Sequence, residues 1–266
     1  MKSPVVLRWE DAYRHDGPAL RVHGRKNTST HEFRRFVQSR VRDRLRRADA
    51  REQLREYVTE LASTGFATAN LGAVSAKEVR LAPWEIGEVL AEVLLEETEG
   101  AHFPWPPSWD KRSATASLPG PDLIGFLGDD GSECFLFGEV KTSDAEDVHA
   151  SVIHGEDGLR AQVERLLTSE ERRQLLISWL CVRAKGRDWK PRFDRCLAVY
   201  LANPSRGAVV AVLLRGREPN EADLQPVRSA VEDLVCPYQR ILLGFYLPVP
   251  VADLPAAVLE GTVDRP

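Results

Sequence analysis

The chain has 266 residues, of which 43% are hydrophobic and 29% charged, and its formal net charge at pH 7 is −4. This composition is typical of a globular protein with one large domain or a core with a smaller appendage. It excludes a protein that binds nucleic acid through overall positive charge. No apolar run approaches the roughly 20 residues that span a bilayer, and residues 1–4 lack a signal-peptide pattern. We therefore expect a cytoplasmic protein that does not associate with membranes.

Residues 1–80 are predicted to form a region of mixed strands and helices that contacts a partner protein or nucleic acid. The remaining residues, 81–266, are predicted to form a second domain. The elements predicted in the first region are short strands at 5–9 and 19–23, helices at 30–63 with Thr30 as the cap, and a Gly- and Ala-rich link at 64–81.

Arginine is concentrated in the first predicted helices, and acidic residues are interleaved with it. Two interpretations stay open: contact with phosphates through charge attraction, or a helix exterior stabilised by ion pairs. The arginines are Arg34, Arg35, Arg40, Arg42, Arg44, Arg46, Arg47, Arg51 and Arg55, and the acidic residues are Asp43, Asp49, Glu52 and Glu56.

Residues 83–97 have the pattern of an amphipathic helix, with an apolar stripe and an acidic stripe beside it. Gly87 interrupts the helix at a cost of about 1 kcal/mol relative to alanine, which a close approach to the sheet would explain. We expect Glu92 and Glu96 to lie on a solvated face. The apolar stripe is Ile86, Val89, Leu90, Val93 and Leu94, and the acidic stripe is Glu85, Glu88, Glu92 and Glu96.

Two apolar runs at 123–127 and 134–138 flank a turn that contains Asp130 and Gly131. An Asp-Gly pair between apolar runs is a strong hairpin signal. With this turn, Asp122 falls opposite Glu139, and directly opposed residues share a face of the hairpin.

Both faces of this hairpin are apolar, as in a central strand that is covered on both sides. One face carries Ile124, Phe126, Phe135 and Phe137 together with Asp122, and the other carries Leu123, Leu127, Leu136 and Val140. Glu139 and Lys141 lie on the face of Asp122, because strand side chains alternate. Two carboxylates side by side in such a place repel each other. A hard divalent cation such as Mg²⁺, which binds one or two carboxylates plus water and phosphate oxygens, would remove the repulsion.

A second amphipathic helix is predicted at 157–170, with Leu159, Val163, Leu166 and Leu167 on its apolar face and Gln162 on another. A basic stretch follows, which contains Trp189 and has only Asp188 and Asp194 as acidic residues. We expect this stretch to contact phosphates or a partner. Its cations are Arg183, Lys185, Arg187, Lys190, Arg192 and Arg195.

The remaining elements complete an α/β order of helices and strands. They predict a central mixed sheet flanked by helices. The predicted elements are a strand or helix at 174–182, strands at 196–202, 209–214 and 241–249, and a helix at 221–235 with Pro226 in its first turn.

Pro121 and Asp122, followed by Glu139, Val140 and Lys141 on a hairpin between two amphipathic helices, resemble the PD-(D/E)xK nuclease superfamily. The resemblance covers about residues 84–170. It implies an α/β fold with a restriction-endonuclease-like core, in which a central mixed β-sheet is flanked by helices.

The resemblance also implies a mechanism, which is metal-dependent hydrolysis of phosphodiester bonds. In that superfamily, the residues matching Asp122 and Glu139 bind Mg²⁺ or Mn²⁺, and we expect the Val140 carbonyl to take part. The residue that matches Lys141 positions or activates the attacking water. Many members carry a metal-directed glutamate on the preceding helix, where Glu88 is the candidate and Glu85 the reserve.

Several branches of the superfamily place a glutamine or lysine near the metal from the helix that follows the hairpin. Gln162 is the matching candidate here, and the alternative is an exposed polar residue. For nucleic-acid contacts, Arg183, Lys185, Arg187 and Lys190 are the candidates.

The order of elements is also similar to the nuclease subunit of Hachiman anti-phage defence systems. This implies a role in antiviral defence on DNA beside a helicase partner, which would supply most of the DNA contacts and account for the acidic balance of this chain. The alternative is a non-catalytic subunit with a nuclease fold that binds nucleic acid or a partner protein.

Overall fold

A seven-stranded mixed β-sheet forms the centre of the computed structural model, which describes residues 6–48, 82–110, 120–129 and 131–259. The order of strands across the sheet is β1-β2-β7-β6-β5-β4-β3. The strands are β1 (Glu10–Asp16), β2 (Leu20–Lys26), β3 (Ala101–His102), β4 (Leu123–Leu127), β5 (Cys134–Ser143), β6 (Gly207–Arg215) and β7 (Gln239–Tyr246).

The middle of the sheet is parallel, because β2, β7, β6 and β5 run in the same direction. The antiparallel strands lie at the two edges, with β1 beside β2 and with β4 and β3 beyond β5. The N-terminal strands therefore belong to the same sheet as the predicted hairpin. All four parallel strands end at one edge of the sheet, which is where α/β proteins commonly bind ligands.

Helices cover both faces of the sheet, and this confirms the predicted α/β architecture. One face packs against α1, the π-helical stretch that follows it, α3 and α8, and the other packs against α4, α5, α6 and α7. The helices are α1 (Thr30–Phe36), the π-helical stretch (Val37–Val41), α2 (Arg42–Ala48), α3 (Pro83–Thr98), α4 (Leu159–Thr168), α5 (Glu170–Ala184), α6 (Lys190–Ala202), α7 (Gln225–Glu232) and α8 (Leu254–Leu259).

Helix α3 follows the predicted stripe, with Ile86, Leu90 and Leu94 fully buried. A Cβ atom at Gly87 would lie 2.4 Å from Cγ2 of Thr142 in β5. Such a distance is shorter than van der Waals contact allows, so only glycine lets the helix approach the sheet this closely. This confirms the predicted reason for a glycine inside α3.

Three predictions of local structure were wrong. The first strand lies at Glu10–Asp16 instead of 5–9. Ser29, whose side chain accepts from the N–H of Glu32, caps α1 in place of Thr30. Residues 196–202 belong to α6 and not to a strand, because Phe193, Cys196 and Tyr200 recur at helical spacing and pack into the core. The link predicted at 64–81 lies outside the described residues.

The prediction that Glu92 and Glu96 face solvent was also wrong. Nε of Arg44 donates to Glu92 at 3.0 Å, and Nη1 of Arg44 donates to Glu96 at 2.9 Å. Glu92 is only 6% exposed, and its burial raises the pKa of its carboxyl group to about 7. These ion pairs join α2 to α3, and Arg44 lies too far away in sequence for a helical pattern to reveal the contact.

None of the described helices has both the length and the apolar character that crossing a bilayer requires.

Candidate catalytic site

The β4–β5 hairpin brings Asp122 and Glu139 together. Leu123 pairs with Gly138 and Leu127 pairs with Cys134, which is the predicted register. Asp122 directly precedes β4, and its Oδ2 accepts a 2.9 Å hydrogen bond from the N–H of Val140. Because β4 begins at Leu123 and β5 continues to Ser143, the carboxyl-terminal half of β5 extends past its antiparallel neighbour.

The two faces of the hairpin are also as predicted. Phe135 and Phe137 pack in the core beneath α4 to α7, whereas Leu136 and Val140 pack in the core beneath α3. Glu139 and Lys141 alternate with Val140 and therefore point toward the α4–α7 side of the sheet.

Glu139 is a carboxyl group in an unfavourable place. It is 4% exposed, and its Oε2 has no hydrogen-bond partner among the described residues. The pKa of Glu139 is raised to about 9, chiefly by burial and then by the negative charge of Asp122 and a side-chain hydrogen bond with Asp122. The cationic side chains of Lys141 and Arg172 act in the opposite direction. At pH 7 and without a cation, this raised pKa keeps Glu139 protonated, so the fold avoids two adjacent negative charges.

A divalent cation fits this pair, because it would replace the proton on Glu139, bind the unpartnered oxygen and offset the repulsion between the two ionised carboxylates. Among the described residues, no cluster of three or more His, Cys, Asp or Glu side chains is suited to a metal ion. Proteins commonly bind Mg²⁺ with one or two carboxylates, so this pair is sufficient. Water and substrate phosphate oxygens fill the remaining coordination positions. Coordination by the Val140 carbonyl stays a prediction.

Lys141 lies two residues after Glu139 on the same face of β5 and is partly exposed. In the part of the chain that the structure describes, no carboxylate lies within ion-pair distance of its ammonium group. Its charge nevertheless acts on Glu139. Lys141 is thus close to the carboxylate pair but forms no ion pair with it. A lysine that contacts a phosphate must be available in this way.

The two glutamates proposed on α3 have different environments. Oε2 of Glu85 accepts a 3.0 Å hydrogen bond from the N–H of Ala82, so Glu85 caps the helix. Glu88 is partly buried and follows Gly87, which contacts Thr142 of β5. This contact lies on the face of the sheet opposite Glu139. A metal-directed role for Glu88 therefore stays a prediction.

Gln162 lies on α4, which packs against β5 on the same side of the sheet as Glu139. The side chain is partly buried, and its Oε1 has no hydrogen-bond partner among the described residues. The alternative of an exposed polar residue does not hold for this oxygen. A position near a metal would require an acceptor that is free to bind, and Oε1 of Gln162 is the second such acceptor on this side of the sheet, after Oε2 of Glu139.

Ion pairs neutralise some of the cations in the predicted basic stretch and leave others available. Arg183 pairs with Asp110 at 2.6 Å, and Lys190 pairs with Asp194. Arg192 and Arg195 both pair with Glu133 near the hairpin turn. Lys185 and Arg187 are exposed, and neither forms an ion pair with any residue that the structure describes.

Sequence reasoning missed Arg172, which lies in the first turn of α5 and is close enough to Glu139 to lower the pKa of its carboxyl group. It also missed the packing of Arg183 and Arg187 against tryptophan rings. The rings belong to Trp105, Trp109 and Trp179, which lie in two separate segments of the chain. No local sequence pattern could therefore have revealed these contacts.

The sequence matches no protein-family model and no curated protein. A functional assignment therefore depends on the residues described above.

Proposed function

We propose that this protein is a metal-dependent nuclease that hydrolyses phosphodiester bonds of nucleic acid, with DNA as the expected substrate. The observation that carries the proposal is the pair formed by Asp122 and Glu139, in which a buried carboxylate oxygen has no partner. Lys141 lies beside the pair without an ion pair of its own. This is the set of groups that the resemblance to the PD-(D/E)xK superfamily requires.

The order of elements around the pair supports the same proposal. Helix α3 precedes the β4–β5 hairpin, and α4 follows it, each on its own face of the sheet. A restriction-endonuclease-like core has this hairpin between two helices. The hairpin register places the two carboxylates side by side, which the motif alone does not guarantee.

Each side chain has a distinct task in the proposed reaction. When bound by Asp122 and Glu139, Mg²⁺ would polarise the scissile phosphate and lower the pKa of a water molecule. The hydrogen bond from Val140 holds the carboxylate of Asp122 in a fixed orientation. The ammonium of Lys141 orients the attacking water and stabilises negative charge that develops on the phosphate. Arg172 adds a second positive charge on the same side of the sheet.

The remaining parts of the proposal concern the substrate and the partner. Arg183, Lys185, Arg187 and Lys190 are proposed to contact the nucleic acid. With a net charge of −4, the chain gains little affinity for nucleic acid from overall attraction. A helicase subunit that supplies further DNA contacts, in an anti-phage defence system, is therefore the proposed partner.

The direct test is a cleavage assay with linear, circular and single-stranded DNA, in the presence and absence of Mg²⁺. Lys141→Ala is expected to reduce cleavage by about 100-fold or more while the melting temperature is retained. Lys26→Ala, which removes an ammonium group that pairs with Glu218 away from the site, is the matched control. Undiminished Mg²⁺-dependent cleavage by Lys141→Ala would refute the proposed role. Binding of DNA without any cleavage by the wild type would favour the non-catalytic subunit.

A further inference from the structure

Three tryptophan side chains and two arginines form a cluster next to β4, which we call the tryptophan cluster: Trp105, Trp109, Trp179, Arg183 and Arg187. The rings of Trp105 and Trp109 meet edge to face, with centroids 4.8 Å apart. The guanidinium of Arg183 lies 4.1 Å from the ring centroid of Trp179 and 5.6 Å from that of Trp105. All three tryptophans are partly exposed, so the cluster is a surface feature.

Arg187 extends the cluster toward solvent. Its guanidinium lies 5.2 Å from the ring centroid of Trp105 and 5.9 Å from that of Trp109. Arg187 is exposed and has no carboxylate partner among the residues in the described ranges. Asp110, in contrast, pairs with Arg183 and accepts a hydrogen bond from Nε1 of Trp105. The cluster is therefore rich in aromatic surface but carries little net positive charge.

Helix α5 connects the tryptophan cluster to the carboxylate pair. Arg172, near the start of α5, acts on the charge of Glu139, and Arg183, near its end, belongs to the cluster. Leu176 and Trp179 lie between them on the same stripe of the helix, and both are partly buried and pack against the core. At about 1.5 Å per residue, the two arginines are roughly 16 Å apart along the helix. One strand of B-DNA covers this distance in about five nucleotides.

We propose that the tryptophan cluster binds an unpaired segment of the substrate by stacking bases on its rings. The substrate is then a single strand, or a duplex with a single-stranded end, that runs along α5 to the carboxylate pair. This inference rests on the proposed nuclease function and specifies the substrate class.

The composition of the cluster favours a single strand over a duplex. In a duplex the bases are stacked on each other, so aromatic side chains stack on bases only where a strand is unpaired. Binding to the phosphates of a duplex depends on several cations that are not neutralised by the protein. Here Asp110 neutralises Arg183, so Arg187 is left as the available cation of the cluster. An arginine beside aromatic rings also matches the way proteins hold single strands through stacking and cation–π contacts.

The test is a binding titration of the full chain in EDTA, which prevents cleavage, with a fluorescein-labelled oligothymidylate and a blunt duplex of the same length. We expect the wild type to bind the single strand at least tenfold more tightly. Trp109→Ala is expected to weaken single-strand binding about tenfold, Arg187→Ala several-fold, and Trp109→Phe much less, because phenylalanine retains a stacking surface. Trp84→Ala, at a tryptophan that is 48% exposed on the other face of the sheet, and Arg206→Ala are the matched controls.

The outcomes separate this inference from the nuclease proposal. If Trp109→Ala and Arg187→Ala bind the single strand as tightly as the wild type, the stacking surface is refuted, even if cleavage is observed. If binding depends on Trp109 but no DNA is cleaved with Mg²⁺, the stacking surface is supported and the nuclease proposal fails. Should Trp109→Ala fail to fold, Arg187→Ala decides the question: several-fold weaker single-strand binding supports the stacking surface, and unchanged binding refutes it.

Discussion

The backbone N–H of Val140 donates a 2.9 Å hydrogen bond to Oδ2 of Asp122. This bond crosses from β5 to the residue just before β4 and brings the carboxylate of Asp122 next to that of Glu139. A protein gains no stability from two adjacent carboxylates, one of them buried. The arrangement is therefore expected to cost stability that a bound cation would restore.

Glu139→Gln tests this cost. The substitution removes a buried carboxyl group whose pKa is raised to about 9, so folding at pH 7 no longer has to protonate it. We therefore expect the variant to be about 1–3 kcal/mol more stable than the wild type without metal. It should also lose the increase in melting temperature that Mg²⁺ or Mn²⁺ produces, together with cleavage. Thermal unfolding with and without metal measures both effects. Glu146→Gln, at an exposed carboxylate that pairs with Arg217, is the control, and a destabilised Glu139→Gln would contradict the expectation.

Gly87→Ala tests the packing of α3 against the sheet. Alanine is the better helix former by about 1 kcal/mol, but its Cβ would lie 2.4 Å from Cγ2 of Thr142. We therefore expect a net destabilisation of about 1–3 kcal/mol, measured by urea denaturation. Adding Thr142→Ser, which removes Cγ2, should recover most of the loss. A stabilised single variant, or a double variant with no recovery, would show that α3 does not depend on this close approach.

Glu92 predicts a pH dependence of stability. Its pKa in the folded protein is raised from 4.5 to about 7 by burial, although Arg44 opposes the shift. Two carboxylates, Glu92 and Glu96, share this one guanidinium, so a retained proton is favourable. Between pH 4.5 and 7 the folded state keeps a proton that the unfolded state releases, and the free energy of unfolding falls as pH rises through this window.

The measurement is urea denaturation of the wild type and Glu92→Gln at pH 5 and pH 8. Because glutamine does not titrate, the stability of the variant relative to the wild type should rise by about 1–3 kcal/mol between these two values. Glu171→Gln, at an exposed position on α5, is expected to show no such change. A relative stability that is constant, or that falls with pH, would contradict the raised pKa of Glu92.

The part of the site that the sequence predicts is the part with local determinants. The Asp-Gly turn and the alternation of Phe135, Leu136 and Phe137 are sufficient to predict the hairpin register, and with it the contact between Asp122 and Glu139. The apolar stripe of α3 and the need for Gly87 are likewise contained in one segment.

The features that the sequence does not predict depend on distant partners. Glu92 looks like a solvated residue until Arg44 is placed beside it. Strand β2 joins the sheet beside β7, a parallel pairing between opposite ends of the chain for which no turn sets the register. Residues 196–202 combine β-branched and aromatic side chains with helical spacing, and tertiary packing selects the helix. The tryptophan cluster also requires the end of α5 and the segment after β3 to meet.

The claim on which the account depends is that Asp122 and Glu139 share one divalent cation. Calorimetric titration of Mn²⁺ into the wild type, Asp122→Asn and Asp129→Asn tests it most directly, because Asp129 is an exposed carboxylate at the other end of the same hairpin. We predict one binding site in the wild type and in Asp129→Asn, and at least tenfold weaker binding in Asp122→Asn. Equal Mn²⁺ affinity in all three proteins, or no binding to the wild type, would contradict the account.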